Sequence, residues 1–195
     1  MKTDHNLNIF SEAEKFALYG FPDFNSLQRK EYFHFSTDEL VIIMRSKQAH
    51  VNACCALQMG YFKAKKMFFA ISFDDNPEDL QFIMQNYFPN KKLLNNYITN
   101  YEYYTQQKEI AQFFGYQLWS KEFFTILDEQ ASIIIKRDIS PNFIARKLIV
   151  FLEEIKVVRP AYTTLQLIIS NSLSQERYRI RDTLNTSLTI ETKLS

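Results

Sequence analysis

Glycine is scarce in this chain, three residues in 195, and proline little commoner at five. A sequence so poor in turn formers cannot make the many tight hairpins of a β-sandwich or barrel, which leaves helices joined by short polar links. Glycines at 20, 60 and 115 are also too far apart to build a phosphate-cradling loop. Cysteine is confined to the neighbours Cys54 and Cys55 in an apolar stretch, a spacing that gives neither a disulfide framework nor a metal-ligand set. No segment approaches the ~20 apolar residues that cross a bilayer, and the polar opening from Met1 to Asn8 lacks the apolar run of a signal peptide. The expectation is a soluble cytoplasmic protein with no membrane partner. An excess of one charge is missing too: 23 Lys and Arg stand against 22 Asp and Glu, so the total does not announce nucleic acid as a partner.

What is present is apolar material, 46% hydrophobic and 15% aromatic residues, enough for one large or two small cores. Helix starts can be read where a short polar side chain can accept from first-turn amides. Ser36 with Glu39 has the spacing of a capping box. Asn76 before Pro77 and Ser140 before Pro141 place proline where its missing amide costs nothing, opening helices over 77–87 and 141–156. Thr163 with Gln166 predicts a further start, after the break at Pro160, of a helix running to about 184. Residues 49–65 read as a well-buried helix, and 100–114 as one ended by a left-handed Gly115. Residues 120–135 read as helical, with the isoleucines 133–135 equally compatible with a short strand. The fold class is all-α, a multi-helix bundle. The polar run Asn95 to Asn100 predicts two helical subdomains, 1–98 and 99–195, the second containing a helix-turn-helix-like pair.

Chemistry has little to work with. The three histidines are His5, His34 and His50; His34, between Phe33 and Phe35, reads as partly buried, and Cys54 shares a helical face with His50 but has no third partner or oxyanion hole. Asp74, Asp75, Glu78 and Asp79 could gather a hard cation, but acids at a helix start complement its dipole, so a solvated first turn is the better account. No catalytic residue, metal or cofactor is expected in this chain.

Charge is distributed in blocks. Residues 41–73 carry Arg45, Lys47, Lys63, Lys65 and Lys66 with no acid, and residues 74–90 then carry four acids with no base. Arg45, Lys47 and His50 fall at the start of the helix over 49–65 and Lys63, Lys65 and Lys66 at its end, where they could track a phosphate backbone or simply complement the dipole. The helices over 141–156 and 164–184 have the outline of a helix-turn-helix reader, with Thr163 and Thr164 able to meet a phosphate at the second start. Arg177, Arg179 and Arg181 lie further along that helix, Arg177 and Arg181 on one face.

Several stretches resemble the beginning of the replicative transposases of the Tn-three (gamma-delta) family. "IFSEAEKFALYGFPD" followed by "LQRKEYFHFSTDEL" resembles the family opening. "SKQAHVNACCALQMGYFK" resembles its basic-helix segment, "NYEYYTQQKEIAQFFGY" its tyrosine-to-threonine segment, and "VVRPAYTTLQLIISNSLSQERYRIRDTL" the closing basic helix. The resemblance implies a non-catalytic, nucleoid-associated module that recognises the terminal inverted repeats of a transposon in double-stranded DNA, with the metal-binding catalytic triad in a later domain and self-association through the full-length transposase. Where members carry arginine, this chain has Asn52 and, after Thr105, Gln106 and Gln107 ahead of Lys108. Glutamine can read adenine edges, but it forfeits phosphate attraction. The alternative is a protein-interaction or assembly module, or a truncated regulatory copy of a transposase, which near-neutral charge and abundant aromatics favour.

Overall fold

The computed structural model describes residues 7–74, 76–93 and 98–194. Among them the chain forms nine helices and no β-strand: α1 (Glu12–Tyr19), α2 (Ser26–Tyr32), α3 (Thr37–Ile43), α4 (Ala49–Lys65), α5 (Pro77–Tyr87), α6 (Asn100–Phe113), α7 (Lys121–Ile135), α8 (Pro141–Glu154) and α9 (Tyr162–Leu194). The isoleucines 133–135 therefore close a helix. Packing divides the chain into two units, one formed by Leu18–Leu118 and the other by the residues before Leu18 together with those from Trp119 onward. The polar run from Asn95, whose first residues lie outside the described ones with His5 and Asp75, falls inside the first unit. α6, which follows that run, packs on α4 and so belongs to the same unit.

The Leu18–Leu118 unit is built around α4. From His50 to Phe62 every residue of this helix is buried, because its sequence offers small or apolar side chains on all sides rather than along one stripe. The neighbours α2, α3, α5 and α6 supply the surrounding surface. Gly60 is the closest approach: a Cβ there would stand 2.1 Å from Cε1 of the fully buried Phe33, so that ring takes the place of a side chain on α4.

Polar residues secure these contacts. Asp79, with 2% of its side chain exposed, accepts from Arg29 Nε at 2.6 Å and from the Tyr61 hydroxyl at 2.8 Å, tying α5 to α2 and α4. The solvated first turn expected for the acidic block is thus wrong at this position. Burial, followed by the Asp79 charge, pushes the Tyr61 phenol up, and the bond to Asp79 raises the Arg29 guanidinium. Glu78 pairs with Arg29 from the solvent side.

The other unit is a packed trio. Leu127, Ala131 and Ile135 on α7 meet Leu165, Ile168, Ile169 and Leu173 on α9, with Ile144, Leu148 and Leu152 of α8 completing the core. Ser172 donates to Asp128 Oδ1 at 3.0 Å between α9 and α7. Beyond Leu173 the apolar spacing lapses, and residues 177–187 of α9 are exposed. The helix nevertheless continues to Leu194, ten residues past the expected end, since no glycine or proline interrupts it.

Capping follows the sequence in part. The Ser36–Glu39 box is present at α3, and equivalent boxes open α2 at Asn25 and α6 at Thr99. Ser11 and Glu14 do the same at α1, where the Ser11 amide foremost, with the Ser11 hydroxyl, Arg146 and Asn142, holds the Glu14 carboxyl down to about 2. Asn76 and Ser140 make no side-chain cap, and proline alone marks those starts. α9 begins at Tyr162, with the Ala161 carbonyl accepting from Leu165, so Thr163 lies inside the first turn and Gln166 donates to the Leu7 carbonyl instead. Gly115 takes the left-handed conformation after α6 (φ 74°). Lys156 does so after α8, which closes that helix at Glu154.

Two stability differences follow. Asp79→Ala removes the buried acceptor of the Tyr61 hydroxyl and one of the two carboxylates on Arg29, and should cost about 3 kcal/mol in urea unfolding, whereas Glu78→Ala, in a largely exposed pair, should stay within about 0.5 kcal/mol. Gly60→Ala gains helix propensity but drives a methyl group into Phe33, and a net loss of about 2 kcal/mol is expected; a stabilised variant would mean that Phe33 moves aside freely.

Candidate nucleic-acid interface

A cation attracts phosphate only insofar as the protein has not already neutralised it, so the basic residues sort by their partners. Arg45, in the turn before α4, is paired with Glu109 of α6. At the far end of α4, Lys63 donates to the His34 carbonyl at 2.8 Å, pairs with Glu39 at 3.2 Å and lies over the Phe35 ring. Lys66 reaches back to the Lys63 carbonyl and lies over Phe62, and Lys65 is half-buried beside it. Arg179 is paired with Glu176 within α9. His34 itself is exposed: its backbone follows the chain between two inward rings, Phe33 and Phe35, so its own side chain points out.

Lys47, Lys108, Arg177 and Arg181 are exposed and make no ion pair among the described residues. Arg177 and Arg181 stand one turn apart on the exposed stretch of α9, and Lys108 on the outer face of α6. At the start of α9, Thr163 is exposed and Thr164 half-buried. Within the trio, α9 packs chiefly against α7 and less against α8, so the α8–α9 pair is one side of a three-helix arrangement.

The glutamines and Asn52 have internal work. Gln106 is 7% exposed; its Nε2 donates to the Val51 carbonyl at 2.9 Å and its Oε1 accepts from Gln58 at 2.6 Å, fastening α6 to α4. A base edge cannot reach it, which corrects its place among the candidate readers. Gln107 is half-buried and engaged with the Tyr103 hydroxyl. Asn52 accepts from the Ser46 amide and donates to the Ser46 carbonyl, at 3.1 and 3.0 Å, and so fixes the turn that leads into α4.

That turn forms one wall of a cavity of about 600 Å³ lined by residues 47–50 and 90–92. The opposite wall follows α5, where a turn from Phe88 to Lys91 closes with a 3.0 Å bond from the Lys91 amide to the Phe88 carbonyl. Pro89 and Asn90 occupy its central positions, as their preset φ and turn propensity favour. Lys91 and Lys92, at the end of this turn, line the cavity together with Lys47 and His50. Sequence reading missed the two lysines because the acidic block ends one residue earlier; a Pro-Asn turn followed by Lys-Lys was the available signal.

Nucleophilic chemistry finds no support at Cys54. Burial pushes its thiol up to about 12 and raises Cys55 as well, the reverse of an activated thiolate. Among the described residues no group of three or more His, Cys, Asp or Glu is placed to hold a metal ion. With both thiols buried and held in the protonated form, both cysteines should resist iodoacetamide in the native protein and react fully in denaturant. Rapid native alkylation would show that α4 opens readily.

No curated protein matches this chain. A family model does, over residues 9–172, which takes in α1 to α8 and the buried first turns of α9. The chain therefore belongs to the family described as a domain of unknown function, DUF4158.

Proposed function

We propose that this chain is a DNA-binding module that recognises the terminal inverted repeats of a transposon, as the amino-terminal part of a Tn-three family transposase, and that it performs no catalysis by itself. The occurrence of this domain family in such transposases supports the reading, as does the ordered resemblance of four stretches of the chain. The observation that carries it physically is the set of cations left open. Lys47, Lys91 and Lys92 gather around one cavity in the α4 unit, and Arg177 with Arg181 lies on the exposed stretch of α9. Phosphate contacts of this kind supply affinity, and hydroxyls such as those of Thr163 and Thr164 are available for positioning.

A second reading, an assembly module, draws on the outer face of α6. Tyr101 and Tyr104 stand there 80% and 66% exposed, one turn apart, and exposed tyrosines are enriched in protein interfaces. Sedimentation with and without duplex separates the two, since a stable oligomer indifferent to DNA favours assembly.

Gel shifts on the terminal repeat and on a scrambled duplex test the leading reading. Affinity should fall by at least about tenfold between roughly 50 and 200 mM salt, and the repeat should be preferred. The double variant Arg177→Ala/Arg181→Ala should reduce the salt slope by about 2. Affinity indifferent to both salt and sequence would overturn the reading.

A further inference from the structure

We infer that the cavity at the start of α4 is a seat for one phosphate of a nucleic-acid backbone; the inference rests on the DNA-binding reading and adds the place and the donors. Four independent features converge there. The lining carries Lys47, Lys91 and Lys92 and no acid. The first-turn amides of Ala49, His50 and Val51 have no acceptor among the described residues, because Gln48 makes no side-chain cap. The imidazole of His50, only 9% exposed, lines the cavity and has no hydrogen-bond partner among the described residues. The volume of about 600 Å³ takes a phosphodiester with part of its sugars.

The comparison with the other helix starts sharpens the point. Helices α1, α2, α3 and α6 satisfy their first amides with their own side chains. α5 and α8 have proline in the first turn, and α5 and α7 have an acid there. α4 has no side-chain cap, no proline and no acid in its first turn, and α9, preceded by Ala161, has neither acid nor proline there either. The orphan N–H groups of α4 and the positive end of its dipole are left for a group from outside, and the ring of lysines selects an anion. Glu102 does not line the cavity; its carboxylate closes the α6 capping box at Thr99. Every nucleotide offers the same phosphate, so this seat fixes register and orientation and carries no base preference.

The test uses the full 195-residue chain, with three probes: terminal-repeat duplex, scrambled duplex and inorganic phosphate. Amide resonances of Ala49, His50 and Val51 should shift with either duplex. Lys91→Ala/Lys92→Ala should lower the salt slope by about 0.9, the value for one phosphate contact, and weaken both duplexes by the same factor. Ala49→Pro removes one amide donor at a position where helices accept proline, and should weaken both duplexes equally with helicity unchanged. Duplex binding with unmoved amides and an unchanged slope in both variants overturns the seat and leaves end recognition standing. Amide shifts with equal affinity for the two duplexes support the seat and overturn end recognition. Shifts with inorganic phosphate but not with duplex overturn the seat as a backbone site.

Discussion

The Asp79 carboxylate, shared between Arg29 and Tyr61, is the contact on which the cavity wall depends. It joins the first turn of α5 to the last turns of α4. From Tyr61 back to His50 is eleven residues of helix, about 16 Å, and from Asp79 forward to Phe88 about 13 Å. One clamp at one end of an antiparallel pair therefore delivers the residues after α5 to the start of α4 at the other. There the Phe88–Lys91 turn adds the remaining reach and places Lys91 and Lys92 beside Lys47 and His50. A charged group taken out of water this completely stabilises only while both partners are present, and that makes the alignment all-or-none.

A formal charge of +1 conceals this arrangement because acids and bases serve different ends. Glu109, Glu39, Glu14 and Glu153 neutralise Arg45, Lys63, Arg146 and Arg159, in each case holding a helix or a turn in place. The field a duplex meets is set by which charges stay open at a given place, and not by the sum.

Local signals were legible where the physics is local. The capping box at Ser36, the prolines at the starts of α5 and α8, the left-handed Gly115 and the evenly apolar α4 all depend on residues within a turn or two of one another. Tertiary demands were not legible. Gln106 is an ordinary surface type in composition and becomes a buried strut because Val51 and Gln58 of another helix present matching polar groups. Asp79 resembles any acid of a first turn until Arg29, fifty residues earlier, closes on it. His34 points outward because its neighbours on both sides turn inward, a choice made by Gly60 leaving room for Phe33. The same rule covers the candidate site: Lys47 and His50 stood out as part of a basic block, and Lys91 and Lys92 did not, because only the α4–α5 packing makes them neighbours.

The start of α4 lacks a side-chain cap, as do α5, α7 and α8, and has neither the proline nor the acid found in their first turns, which has a cost. A Ser, Thr, Asn or Asp at position 48 would stabilise the helix by about 1 kcal/mol, and Gln48 forgoes it. Burial could excuse the omission if other groups met the free amides, yet the adjoining Asn52 carboxamide spends both its ends on Ser46. Asn52 holds the turn in shape without closing the helix end. A rigid frame around unsatisfied donors is what binding an external anion requires, since donors already fixed in place lose little further freedom when the ligand arrives. A capped α4 would be the more stable helix and the poorer phosphate seat, so an acceptor introduced at position 48 acts on both properties in opposite directions.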